Sequence, residues 1–426
     1  MHTLMDILVR MDSAEDIPII EARIDHLVRR YIASDGLSAI PDPCGQVMDA
    51  VAGQALISNQ GGKRLRALLT LAAYDAAISA RQGKDATFTS ASSQRDLVMD
   101  VACAIEVFQT GALVHDDIID DSDLRRGKPS AHVALSLGII DDKASSSVSR
   151  TASPTDMADS SAPADGNHLA FGKGLGIMLG DILATASISI AQQACEGLST
   201  PVPPHSTATA DSRPRAVDPM NAFLSMHREV EIGQVLDLGV EHVPLDDPER
   251  LAEASLSVFR WKTASYTTIA PIELGLLAAG IEAGSARATA LRIGLTLGVA
   301  FQLADDLLDV VSDSDHTGKP IGGDIREGKR TVLLADALSE ASEQDRALLT
   351  TIYERDDRSP EEVNRTIEIF HRTGAIDKSR RRITALWHRT LDALTEASTA
   401  LGLDSTANAA LHDACALFIP YELRKP

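Results

Sequence analysis

Residues 112–129 read ALVHDDIIDDSDLRRGKP, an apolar, helix-like run that ends in five aspartates followed by two arginines and a lysine. On a helix Asp116 and Asp120 stand one turn apart on one face, with Asp117 about 100° round from Asp116. Like charges this close repel, and the negative end of the helix dipole adds to the cost unless a cation sits among them. Hard oxygen ligands at this spacing suit Mg²⁺, which takes one or two carboxylates and fills its other positions with water and substrate phosphate. One match is weak: acids make up 61 of 426 residues, so three at a fixed spacing arise by chance about once in such a chain.

Residues 298–313, GVAFQLADDLLDVVSD, repeat the pattern. Asp305, Asp306 and Asp309 keep the i, i+1, i+4 spacing and again follow an apolar helical run. Ala300, Phe301 and Leu303 before the cluster and Val310 and Val311 after it place the acids poorly for a solvated face. Two facing clusters could hold two or three Mg²⁺ ions around a polyphosphate. Two unrelated exposed helix faces are the alternative.

The remaining text is helical. Apolar residues make up 44% of the chain but aromatics only 4%, a balance that favours close-packed helices over an aromatic-rich sandwich. Ile19, Ile20, Ile24, Leu27 and Val28 follow an expected cap at Ser13 with helical spacing. Similar patterns recur over 45–58, 64–82, 97–121, 169–195, 220–239, 263–282, 285–312, 329–341, 360–373 and 376–400. The expectation is an all-α fold and one domain over 1–426. Two Ser, Ala and Pro-rich inserts, 141–168 and 196–219, are expected to be flexible surface loops.

A formal charge of -21 repels phosphate polymers, which argues against a nucleic-acid partner and against an anionic membrane surface. Cys44, Cys103, Cys195 and Cys415 show no metal or disulfide spacing, and this fits a reducing, cytoplasmic location. Apolar runs such as 293–304 stop short of a membrane span, so no integral membrane segment is expected. Phosphate binding then needs local cations. GGKRLRALL, 61–69, supplies Lys63, Arg64 and Arg66 at an expected helix start, where an anion is favoured. Arg125 and Arg126 follow the first acid cluster, and Lys262, Lys319 and Lys329 surround the second. Arg64, Arg260 and Arg330 are assigned to structural ion pairs.

In this order the motifs GGKRLR, LVHDDIIDDSDLRRGKP, GIMLGD, GQVLDL, WKTASYT, FQLADDLLD and TGKPIGGD…GKRT resemble the trans-isoprenyl diphosphate synthase, or polyprenyl synthetase, family from about residue 60 to 340. The resemblance implies helices around a deep central cavity, a homodimer, and Mg²⁺-dependent condensation of isopentenyl diphosphate with an allylic diphosphate. It implies Asp116, Asp117, Asp120, Asp305, Asp306 and Asp309 as metal ligands. Arg125, Lys262, Thr263, Gln302, Lys319 and Lys329 would contact the allylic diphosphate, and Lys63, Arg66, Gln109 and Arg126 isopentenyl diphosphate. Gln109 departs from the family's usual histidine; it can donate a hydrogen bond but carries no charge.

In the family the product grows beside the helix that carries the first aspartate motif. Gly111 and Ala112, one turn before Asp116, would leave room there, with Phe108 as a candidate floor. This points to geranylgeranyl diphosphate, with longer polyprenyl diphosphates as the alternative. A terpene cyclase would not need GGKRLR, a non-catalytic partner subunit would be expected to lose an acid cluster, and a calcium-binding loop would need a DxDxDG order that is missing.

Overall fold

The computed structural model describes residues 13–33, 40, 42–84, 92–137, 166–199, 217–311, 321–355 and 357–425. Most of both inserts and Lys319 lie outside the described residues. The helices are α1 (Ser13–Ile32), α2 (Asp42–Ser58), α3 (Leu65–Lys84), α4 (Ser92–Ile119), α5 (131–137), α6 (Gly166–Ser199), α7 (Val217–Val240) and α8 (Pro248–Val258). A π-helix (Phe259–Ile269) runs into α9 (Ala270–Ala278). There follow α10 (Ala283–Val311), α11 (Gly323–Glu327), α12 (Val332–Glu340), α13 (Glu343–Tyr353), α14 (Pro360–Arg372), α15 (Ala375–Leu401) and α16 (Ser405–Ala416). Among the described residues the only strands are β1 (Leu124–Arg125) and β2 (Lys128–Pro129), paired antiparallel. The fold is all-α.

The chain divides into two compact units where the helical text showed no break. One comprises Met1–Asp16, Arg64–Ala102 and Ala191–Pro426; the other comprises Ile17–Lys63 and Cys103–Ile190.

In the larger unit, small residues set how closely the helices approach. A Cβ on Gly275 of α9 would lie 2.5 Å from the Thr70 carbonyl oxygen of α3, so only glycine permits that crossing. Gly294 and Gly298 of α10 do the same against Ile269 and Ala264 of the π-helix. Thr268 then donates to the Gly294 carbonyl at 2.7 Å and locks the pair in register. Because the π-helix carries Lys262 and Thr263 and α10 ends in Asp305 and Asp306, this contact aligns two of the motifs. Asp336 of α12, buried, accepts from Arg382 at 2.6 Å and lies 2.9 Å from Lys378, both on α15.

His227 of α7 is buried against Phe223, with ring centroids 5.0 Å apart. Burial pushes its pKa down to about 4. The unfolded chain therefore binds a proton between about pH 6.5 and 4 that the folded chain refuses, and stability falls as pH drops through that window. The shift corresponds to about 3 kcal/mol when fully expressed. His227→Phe is expected to flatten the acid limb of a denaturation-versus-pH series; an unchanged limb would refute this.

In the smaller unit α4 meets α6 through glycines. A Cβ on Gly111 would lie 2.9 Å from the Gly180 carbonyl oxygen, and one on Gly180 would strike the His115 ring at 2.1 Å. By length and composition, Ser93–Ile119 and His168–Ser199 are apolar enough to cross a membrane, contrary to the expectation that no run reaches span length; 72% and 44% of their apolar windows are buried in the protein.

Candidate active site

The first aspartate motif closes α4 in the smaller unit. Its half-buried face carries Gln109, Ala112, Asp116 and Asp120 at helical spacing, whereas Phe108, Gly111, Val114 and Asp117 are buried. Arg126 and Gly127 both have positive φ, 52° and 73°, so the RRGK segment makes a tight two-residue hairpin turn. The pairing sets Arg125 beside Lys128 and leaves Arg126 at the tip.

Arg125 folds back and donates from Nε to Asp117 at 2.8 Å, with a second contact from Nη2 to the same oxygen. Burial pushes the Asp117 carboxyl up despite this partner. Asp117, expected to hold metal, is thus the partner of Arg125. Arg126 donates to the Gln60 and Gly61 carbonyls at 2.9 and 3.0 Å. Gly61 and Gly62 take φ of 73° and 109°, and a Cβ on Gly62 would lie 3.2 Å from the Arg126 guanidinium, so the paired glycines shape the seat of this arginine. A cavity of about 280 Å³ opens here, lined by Gln60, Gly61, Asp117, Arg125, Arg126 and Lys128 on its polar side and Ile57, Leu113 and Val114 on its apolar side.

Lys63 lies exposed in the loop before α3, which begins at Leu65, so it stands outside the helix that carries Arg66. Arg66, in the larger unit, is buried, donates to Thr267 at 2.8 Å and stacks over Tyr266 at 4.2 Å. Gly111 also departs from expectation: the space left by its missing side chain is taken up by α6, so that side of α4 is packed.

The second motif lies in the larger unit. Thr263 donates to Gln302 at 2.9 Å, and Gln302 donates onward to Asp306 at 2.8 Å. Three residues chosen from separate motifs thereby form one relay. Asp306 is buried and its Oδ2 has no hydrogen-bond partner among the described residues. Desolvation, reinforced by Asp324, drives its pKa well up, and burial pushes Asp324 up to about 7. Asp305 is exposed at the helix surface. Asp309 instead anchors backbone, since its carboxylate oxygens accept from the Gly323 and Asp324 amides, both at 3.1 Å, and its carbonyl accepts from Gly322. Lys329 lies 2.7 Å from Glu327 and 3.7 Å from Asp324, and Lys262 lies 2.6 Å from Asp237 of α7.

Sequence reasoning alone does not single out Asp237, Asp324 or Lys128 as site residues. Asp237 and Asp324 stand inside the motifs GQVLDL and GGD, but only the folded chain places them against Lys262 and Asp306. Of the arginines assigned to structural ion pairs, Arg330 contacts the Val243 carbonyl and Arg260 lies over Trp261 at 5.6 Å; neither contact is an ion pair with a nearby aspartate.

Among the described residues no three acidic or imidazole side chains form a ready-made metal cage. The donor set still fits Mg²⁺, which needs few carboxylates and completes its shell with water and phosphate oxygens. An orphaned buried carboxylate oxygen on Asp306, crowded by other carboxylates, is the arrangement a divalent cation relieves.

Comparison with known proteins agrees. The polyprenyl synthetase family model matches residues 52–370. A short chain isoprenyl diphosphate synthase of Methanothermobacter thermautotrophicus is 32% identical over 65% of this chain and 67% of that protein. A geranylgeranyl diphosphate synthase of Saccharolobus solfataricus is 27% identical over 73% of each. The structure of a geranylgeranyl pyrophosphate synthase from Corynebacterium glutamicum, complexed with isoprenyl diphosphate and magnesium, superposes with a TM-score of 0.71 at 28% identity, covering 95% of this chain and 99% of that one. With both aspartate motifs, the basic hairpin and the KT-bearing π-helix in the family's order, the chain belongs to the polyprenyl synthetase family.

Proposed function

We propose that the protein is a trans-prenyltransferase that joins isopentenyl diphosphate head-to-tail to an allylic diphosphate, with geranylgeranyl diphosphate as its product. The observation that carries this reading is the Thr263–Gln302–Asp306 relay, which delivers a buried carboxylate with an unused oxygen to the end of α10. Asp116 and Asp120 would hold Mg²⁺, and so would Asp305 and Asp306. Bound there, Mg²⁺ supplies Lewis-acid neutralisation of charge on the departing diphosphate.

The chain's own residues do the rest. Lys262 and Lys329, each held by a carboxylate, are kept oriented as point charges for diphosphate oxygens. Stabilising the leaving group lets the allylic carbon–oxygen bond ionise to an allylic cation. Arg126, Lys63 and Gln109 would hold isopentenyl diphosphate so that its double bond attacks that cation; fixed placement lowers the entropic part of the barrier. Loss of a proton completes the product, and the released diphosphate can accept it. Lys319 is assigned to the allylic diphosphate on the same reading, and a cytoplasmic homodimer is proposed with it.

Purified protein, isopentenyl diphosphate and Mg²⁺ are to be incubated with C5, C10 and C15 allylic diphosphates and the products sized. C20 product from at least one primer is expected, and chelation of Mg²⁺ is expected to abolish it. No elongation with any primer would refute the assignment. Products mainly beyond C20 would move it to the longer-chain synthases.

A further inference from the structure

The segment from Ile321 to Arg330 carries Asp324 and Lys329, yet α11 within it is only five residues long, with left-handed glycines at both ends: Gly322 at φ 74° and Gly328 at φ 81°. So short a helix does not hold itself. Its leading end is fastened by Asp309, as described above. Its trailing end meets Arg358, a residue of the loop between α13 and α14 that belongs to none of the motifs.

The guanidinium lies flat against Gly328, where a Cβ would sit 2.3 Å from Nη2 and 2.5 Å from Cζ. From there Nη1 donates to the Arg326 carbonyl at 3.2 Å, and Nη2 donates to the Tyr353 carbonyl at 3.1 Å. One planar group thus ties α11 to the end of α13. Its Cζ also lies 5.6 Å from the Tyr353 ring centroid, and Tyr353 is buried. A lysine could not make both carbonyl contacts from a plane that fits over a glycine. The amide of Lys329 leaves this turn bonded to the Asp324 carbonyl at 2.9 Å, so whatever holds Gly328 also sets the direction in which Lys329 departs.

We propose that Arg358 is a positioning residue for the diphosphate-binding end of α10: it clamps the Gly328 turn from behind, as Asp309 does from the front, so that Lys329 and Asp324 are presented beside Asp306. This rests on the prenyltransferase reading, but the clamp itself can be tested without substrate. It also accounts for the glycine at 328, since any side chain there would displace the guanidinium.

The test uses the full chain as wild type, Arg358→Lys and Arg358→Ala. Amide hydrogen exchange without metal or substrate is expected to quicken roughly tenfold or more at 322–330 in Arg358→Ala, to change less in Arg358→Lys, and to stay unchanged in α10 and α14. Millimolar guanidinium ion should slow it again in Arg358→Ala only. In steady state the KM for the allylic diphosphate should rise by about tenfold or more, as for other supporting-shell residues, while that for isopentenyl diphosphate stays put. Unchanged exchange at 322–330, or faster exchange spread evenly over α13 and α14, would overturn the clamp. So would equal rises in both KM values. If Arg358→Ala does not fold, Arg358→Lys decides by the same two readouts. Failure of the wild type to elongate any primer would sink the prenyltransferase reading and leave the exchange result standing.

Discussion

Asp305→Ala and Asp116→Ala each lower kcat by roughly 10³-fold or more, about 4 kcal/mol of transition-state stabilisation, with the melting temperature nearly unchanged. Asp305 is exposed, so removing it leaves no cavity. Asp116 is half-buried on α4. On the proposed reading the loss belongs to chemistry, because these oxygens would hold the cation that offsets the leaving group's charge. Raising Mg²⁺ should recover part of the rate. Asp309→Asn should behave differently. Its partners are the backbone amides of Gly323 and Asp324, so an amide side chain keeps one acceptor and the main damage is looser holding of α11. A rate loss for Asp305→Ala of less than tenfold, measured at saturating substrate, would contradict the role given to the second motif.

Gly233→Ala is the second large effect, and it acts through the fold. A Cβ at this position of α7 would lie 2.2 Å from the Lys262 amide nitrogen and 2.5 Å from its Cα. These are backbone atoms of the π-helix and have no rotamer to yield. The two elements must separate, which costs about 3 kcal/mol or more, at the upper end of overpacking changes. Separation also lengthens the contact between Lys262 and Asp237, now 2.6 Å. Denaturant unfolding should show the stability loss, and the protein that remains folded should have a raised KM for the allylic diphosphate. A variant with wild-type stability would mean that α7 and the π-helix can move apart freely.

The helical class can be read from the sequence because its signals are local: periodic apolar residues, few aromatics, capping residues. Ser359 with Glu362, for example, forms the capping box that starts α14. Sequence reasoning misses α5, α8, α11, α13 and α16, although Asp247 followed by Pro248 is a start signal and Asp247 does cap α8. The aspartate motifs are legible for the same local reason. What spacing cannot show is which carboxylates are already engaged. Asp117 with Arg125 joins the end of α4 to β1, and Asp309 with the amides of α11 joins positions 14 and 15 residues apart. Arg66 reads as a phosphate binder, and spacing does not show that Thr267 and Tyr266, about 200 positions away, pack against it. Gly111 reads as empty space until α6 occupies it.

The π-helix makes the alignment of the site a matter of residue count. An α-helix needs 3.6 residues per turn, while the wider winding over Phe259–Ile269 accommodates surplus. A single deletion within that stretch would let it relax to the ordinary helix, and everything on its upstream side would then turn by about 100° relative to α10. Lys262 and Thr263 would swing away from Gln302 with every side chain chemically intact. Length variation is therefore intolerable across these eleven residues, and an alignment gap there would be a better warning of lost activity than many substitutions.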